Sequence, residues 1–179
     1  MIMELRYGIL STSSIAPRFI AAVREGEAGE ILALSSRTEE KAREKAALWE
    51  IPRAYGSHAA LLADPDINTV YISTVNSQHY RWPMAALEAG KHVVCEKPCT
   101  TCAAHTRELF QLAREKNRFF MEAEKMLFLP AIAEVREKIL NRELGKIHMV
   151  ELNHSFSAGY NTWLFDRSLG GGPLLSSGI

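Results

Sequence analysis

The chain has 179 residues, 47% of them hydrophobic and 23% charged, enough for one full core and part of a second domain, and not the composition of a disordered or fibrous protein. Lys plus Arg and Asp plus Glu balance at 21 each, so no net field draws the chain to nucleic acid or to an anionic membrane, and small molecules are the expected partners. The opening Met-Ile-Met-Glu-Leu-Arg-Tyr-Gly is charged before any apolar run reaches signal-peptide length, and no apolar stretch can span a bilayer, so a cytoplasmic address is expected.

Apolar runs of strand length alternate with stretches of helical period, which predicts a doubly wound α/β fold on a parallel sheet. In chain order the strands are expected at Leu5 to Ser11, Glu30 to Ser36, a short piece near Ala54, Thr69 to Thr74, His92 to Cys95 and Phe119 to Ala123. Their continuous apolar character suits strands covered on both faces. Helices are expected at Ile15 to Glu25, Glu39 to Trp49 behind a Thr38 cap, Ser57 to Leu62, His79 to Ala89 stopped by Gly90, and Thr101 to Lys116. A domain boundary is placed near residue 124, giving a cofactor domain over 1–123 and the incomplete start of a substrate domain over 124–179. A helix from Ala131 to Asn141 and one long strand from Ile147 to Phe156 belong to this second part. The apolar end at Ile179 and the unburied face of that strand mark the chain as a piece of something longer.

Four strand ends carry polar residues of chemical interest. The first strand runs into Ser11, Thr12, Ser13, Ser14, Ile15 and Ala16, where backbone N–H groups at a helix start would cradle a pyrophosphate. Serines stand at the first two glycine places of that motif, and the same turn also suits a plain strand-to-helix reversal with a serine cap. The second strand ends Ser35-Ser36-Arg37 with no carboxylate to take a ribose 2′-hydroxyl. A guanidinium and a hydroxyl there suit a 2′-phosphate, favouring NADP over NAD, although Arg37 also reads as a solvated charge. The fourth strand delivers Thr74, Asn76 and His79, which are placed beside the cofactor, although a lone histidine at a helix start also reads as a cap or packing residue. The fifth ends Cys95-Glu96-Lys97-Pro98. Lys97 is the expected proton-transfer residue, with Glu96 orienting it and the ribose, while a surface ion pair is the plainer alternative. Lys125 reads chiefly as a solvated lysine.

Cys95, Cys99 and Cys102 have the C-x-x-x-C-x-x-C spacing of radical S-adenosylmethionine enzymes. Pro98 and a helix start separate the thiols, so reduced cysteines are expected instead, and no His and carboxylate cluster has metal-ligand spacing.

The series Gly8-Ile-Leu-Ser-Thr-x-x-Ile-Ala, Ser36-Arg37, Tyr55-Gly-Ser, Asn76-x-x-His79, Glu88-Ala-Gly-Lys-His-Val, Glu96-Lys97-Pro98 and Met121-Glu-Ala resembles the glucose-fructose oxidoreductase, inositol dehydrogenase and MocA (Gfo/Idh/MocA) family, its trans-dihydrodiol dehydrogenase-like and sugar dehydrogenase-like members included. The resemblance implies a dinucleotide domain followed by an open-sheet α+β domain, NADP or NAD as cofactor, Lys97 beside nicotinamide, and a sugar, cyclitol or dihydrodiol as substrate. A homo-oligomer of the full-length protein is expected with it. The family stretch matching Gly171 to Gly178 usually has Asp where Ser176 stands, and its catalytic histidine falls beyond Ile179.

Overall fold

The computed structural model describes residues 4–153 and 162–178. Six parallel strands form one sheet: β1 (Arg6–Leu10), β2 (Glu30–Ser35), β3 (Arg53–Tyr55), β4 (Thr69–Ile72), β5 (His92–Glu96) and β6 (Phe120–Ala123), in the spatial order β3-β2-β1-β4-β5-β6. The order reverses between β1 and β4, so the chain winds first one way from the centre and then the other.

Helices α1 (Ala16–Glu25), α2 (Glu39–Leu48), α3 (His58–Leu62), α4 (Arg81–Glu88) and α5 (Ala103–Glu115) connect the strands. Local chemistry starts them. Pro17 enters α1 in its first turn, where a missing N–H breaks no helical bond. Thr38 accepts the Lys41 amide at 3.4 Å ahead of α2, and Ser57 accepts that of Ala60 at 3.2 Å ahead of α3. Alternation along the strands then fills two cores, one on each face of the sheet. Ile9, Ile31, Leu34 and Tyr71 pack with Ile20 and Val23 of α1 and Ala42 of α2 on one face. Leu10, Ala33, Val70, Ile72 and Val93 pack with Leu61, Leu87 and Leu109 on the other. Each fully buried Leu or Ile contributes about 1.5–3 kcal/mol.

A buried polar knot ties β3 to the turn before β4. The Asp64 carboxylate accepts from Arg53 and Tyr55, each at 2.8 Å, and from the Asp66 amide at 2.9 Å. Burial alone would raise the Asp64 pKa, but these donors overrule it and hold the group below the usual carboxylate value. Asp64→Ala strands the Tyr55 and Arg53 donors, so chemical denaturation near neutral pH is expected to show a loss of about 1–3 kcal/mol. With its folded pKa depressed, the wild-type contribution is present above the unfolded value and is lost as pH falls through the folded one.

After β6 the chain makes a 3-10 turn over Lys125–Phe128 and then α6 (Pro130–Leu140), within a residue of the expected helix. Two further 3-10 turns, Trp163–Phe165 and Arg167–Leu169, precede the short helix α7 (Pro173–Ser177). The structure corrects two expectations. The fourth helix starts at Arg81 rather than His79, because a 3-10 turn over Asn76–Gln78 takes the preceding residues and Pro83 suits the first turn of α4. The strand expected from Ile147 to Phe156 is not formed over 147–153, and 154–156 lie outside the described residues. A strand needs a neighbouring ladder; none of the described strands pairs with it, and Met149, Val150 and Leu152 are exposed.

Candidate functional site

Loops at the carboxyl ends of parallel strands surround the point where strand order reverses, the crevice used for ligands in open sheets. Ser11, Arg37, Asn76 and Lys97 all leave strands at that edge, from β1, β2, β4 and β5.

At β1 the backbone keeps the shape of a glycine turn although a serine stands there. Ser11 has φ of +105°, which L side chains rarely adopt, at a strain of order 1–3 kcal/mol. Its amide donates to the Ser35 carbonyl at 3.1 Å, holding the β1 turn to the end of β2. Among the described residues nothing accepts from the amides of Thr12, Ser13, Ser14 and Ile15, and Ile15 supplies no side-chain cap to α1. Ala16 is buried behind them. The Ser13 hydroxyl donates to that of Ser73 at 2.7 Å, joining this turn to the end of β4.

At β2, Ser36 is buried and its amide donates to the Tyr55 carbonyl at 3.1 Å. Arg37 is exposed and has no carboxylate partner among the described residues. Below them Ser35 Oγ lies 2.7 Å from Nδ1 of His58.

At β4, the Asn76 amide donates to the Gly170 carbonyl at 2.9 Å. Gly170 has φ of +78°, and a Cβ there would lie 2.7 Å from that of Asn76, so the approach needs a glycine. The buried His79 ring has Nδ1 2.7 Å from the Pro98 carbonyl and Nε2 3.0 Å from the Thr74 carbonyl. Burial lowers its pKa and the two carbonyls oppose the shift without cancelling it. His79 thus ties the end of β4 to the turn after β5. The Thr74 hydroxyl is buried with no partner among the described residues, as is that of Ser176.

At β5 the two charged neighbours part company: Glu96 is the last residue of the strand and Lys97 lies in the turn after it. Lys97 donates to the main-chain carbonyl of Ser176 in α7. Glu96 is buried, accepts the Tyr71 hydroxyl at 2.7 Å, and pairs with Lys125 at 2.9 and 3.0 Å. The expectation that Glu96 orients Lys97 is therefore corrected: Glu96 orients on Tyr71 and Lys125. Lys125 is exposed, as a solvated lysine would be, and is also the counter-ion of the buried Glu96 carboxylate. Tyr71 is pushed up in pKa by burial and by Glu96 beside it, and its ring stacks on Phe19 at 3.9 Å. Sequence reasoning missed Tyr71 in this role, and the signal was thin: a tyrosine in an otherwise aliphatic strand.

Cys95 and Cys99 are buried in one core cluster and Cys102 is exposed; all three are free thiols. Burial pushes the Cys99 thiol up to about 11 and raises that of Cys95, whereas Cys102 is exposed and lowered by the His105 and Ala104 amides at the start of α5. Among the described residues no group of three or more His, Cys, Asp or Glu side chains has a metal-holding arrangement, and no helix is long and apolar enough to cross a membrane.

Residues 5–124 match the profile of the Gfo/Idh/MocA oxidoreductase family, described by its NAD-binding Rossmann fold. The chain belongs to the Gfo/Idh/MocA family. Trans-1,2-dihydrobenzene-1,2-diol dehydrogenase of Sus scrofa is 36% identical over 99% of this chain and 53% of its own length. The chain thus spans about half the length of the curated relatives it matches. An NAD-binding protein from Listeria innocua superposes with a TM-score of 0.83 at 26% identity, over 98% of this chain and 52% of that one. A 3-ketoreductase from Actinomadura kijaniata, solved with TDP-benzene and NADP, superposes with a TM-score of 0.72 at 29% identity, over 78% and 44%. The six-strand Gfo/Idh/MocA sheet, its glycine-like β1 turn and its Lys97 turn are accordingly parts of a nicotinamide-dinucleotide-binding fold.

Proposed function

We propose that the chain is the cofactor half of an NADP-preferring dehydrogenase acting on a secondary alcohol or ketone of a sugar, cyclitol or dihydrodiol. The observation that carries this reading is the end of β2, where Ser35-Ser36-Arg37 offers no carboxylate and a guanidinium that has no carboxylate partner among the described residues. The site's own atoms suit a dinucleotide: four amides without acceptors, a serine held at a glycine φ, and the unpartnered hydroxyl of Thr74. When bound, nicotinamide supplies hydride acceptance and donation. The amides of Thr12 to Ile15 hold the pyrophosphate, with Ala16 leaving room behind them. Ser36 and Arg37 take the 2′-phosphate, and Thr74, Asn76 and His79 line the ribose and nicotinamide side. Glu96 fixes the ribose, and Lys97 moves the proton at the substrate oxygen.

In this reading residues 1–123 are the cofactor domain and 124–179 begin an α+β substrate domain of a cytoplasmic homo-oligomer. The NADP bound by the Actinomadura enzyme and the dihydrodiol named for the Sus scrofa relative support the cofactor and substrate classes. A second reading, a dinucleotide-binding module without turnover, is favoured by the serine at position 176. It predicts that NADPH fluorescence changes on binding with no substrate-dependent change in nicotinamide absorbance.

Titration of NADPH and NADH tests the main reading. Arg37→Ala is expected to weaken NADPH about tenfold or more, the worth of a charge-assisted contact, and to leave NADH nearly unchanged; equal loss for both defeats the assignment.

A further inference from the structure

A second arginine, Arg81 at the start of α4, is linked to the end of β2 through His58 and Trp82. His58, the first residue of α3, is joined to the end of β2 by the 2.7 Å contact with Ser35. Its ring meets the Trp82 indole edge-on, with centroids 4.8 Å apart. The Arg81 guanidinium lies over that same indole, 4.7 Å from its centre. This series of contacts leads from the end of β2, where Arg37 leaves the strand, to the Arg81 head group, and the charge of both guanidiniums is felt at His58. Both arginines are exposed, and neither has a carboxylate partner among the described residues. Glu39, at the start of α2, is engaged by Arg43 at 2.5 Å.

His58 senses both arginines. Burial first, then the fields of Arg81 and Arg37, depress its pKa to about 4. It is uncharged at neutral pH, and the positive charge of this corner belongs to the two guanidiniums. Two cations without a counter-ion repel one another and favour any dianion placed between them. A guanidinium backed by an indole keeps its planar fork with less freedom to lose on binding.

We propose that Arg81 is the second arm of a phosphate-monoester site at the end of β2, closing with Arg37 on the 2′-phosphate of an adenine dinucleotide. This rests on the proposed function, in which a dinucleotide occupies the β1 turn. Arg81 is then a specificity residue: it adds affinity for a 2′-phosphate and little for a 2′-hydroxyl.

The test titrates adenosine 2′-phosphate, adenosine 5′-phosphate, NADPH and NADH into the wild type, Arg37→Ala, Arg81→Ala and Arg81→Lys. Exposure of both arginines predicts unchanged melting of all variants. Arg81→Ala is expected to weaken adenosine 2′-phosphate and NADPH about tenfold or more, and NADH and adenosine 5′-phosphate by less than about twofold. Arg81→Lys is expected to recover part of the loss. If Arg81→Ala binds adenosine 2′-phosphate and NADPH like the wild type while Arg37→Ala does not, the role of Arg81 is overturned and the dinucleotide reading stands. Equal loss of all four ligands in Arg81→Ala overturns the specificity role. A wild type that binds none of the four overturns both.

Discussion

In the protein extended to the length of its relatives, Lys97→Ala is expected to slow hydride transfer about 10²–10⁴-fold, the usual contribution of a positioned acid or base. NADPH binding is expected to survive, because the amides of Thr12 to Ile15 and the Arg37 corner are untouched. In the proposed function Lys97 takes that role. Pro98 stiffens the turn after it, and Glu96 is already committed to Tyr71 and Lys125. Its own contact is the neutral carbonyl of Ser176, which accepts a hydrogen bond but does not neutralise the ammonium. Stopped-flow absorbance with saturating cofactor measures the effect; turnover within a few-fold of wild type would remove Lys97 from the chemistry.

Acid is expected to destabilise the fold through His58. Its folded pKa is depressed from 6.5 to about 4 by burial first and then by Arg81 and Arg37. The unfolded chain takes up a proton below 6.5, while the folded ring resists until about 4. Stability is therefore highest above 6.5 and falls progressively between the two values, by about 3 kcal/mol in total. The residue is 9% exposed, so solvent screens this little. Denaturant melts at several pH values across that window, on wild type and His58→Gln, isolate the effect. The variant is expected to be less stable at neutral pH and to show a shallower acid slope; parallel slopes would mean that His58 is not the sensitive group.

The parallel sheet was legible because its signals are local. Apolar runs, the Thr38 cap and the Gly90 stop each act within a turn of their own position, and the six strands lie within one or two residues of expectation. The β1 turn was legible for the same reason, since a strand leading into Pro17 needs a tight reversal whether glycine or serine makes it. What escaped was the pairing of side chains brought together by the order of strands. Glu96 meets Tyr71 because β5 lies beside β4, and meets Lys125 because β6 lies beside β5. Adjacency in sequence points to Lys97 instead, but Lys97 lies past the end of β5 and turns to Ser176. Arg81 escaped likewise, since its tie to β2 runs through Trp82, its neighbour on α4, and His58 on α3. The segment over 147–153 shows the opposite failure: its residues favour extended backbone, but a ladder is a property of two segments.

The links from residues 162–178 to the crevice end on main-chain oxygens, those of Gly170 and Ser176. Every amino acid supplies a carbonyl, so the anchor that steadies Lys97 is indifferent to the side chain at position 176. That place is free to diverge, or to be redesigned for a new substrate, without loosening the lysine.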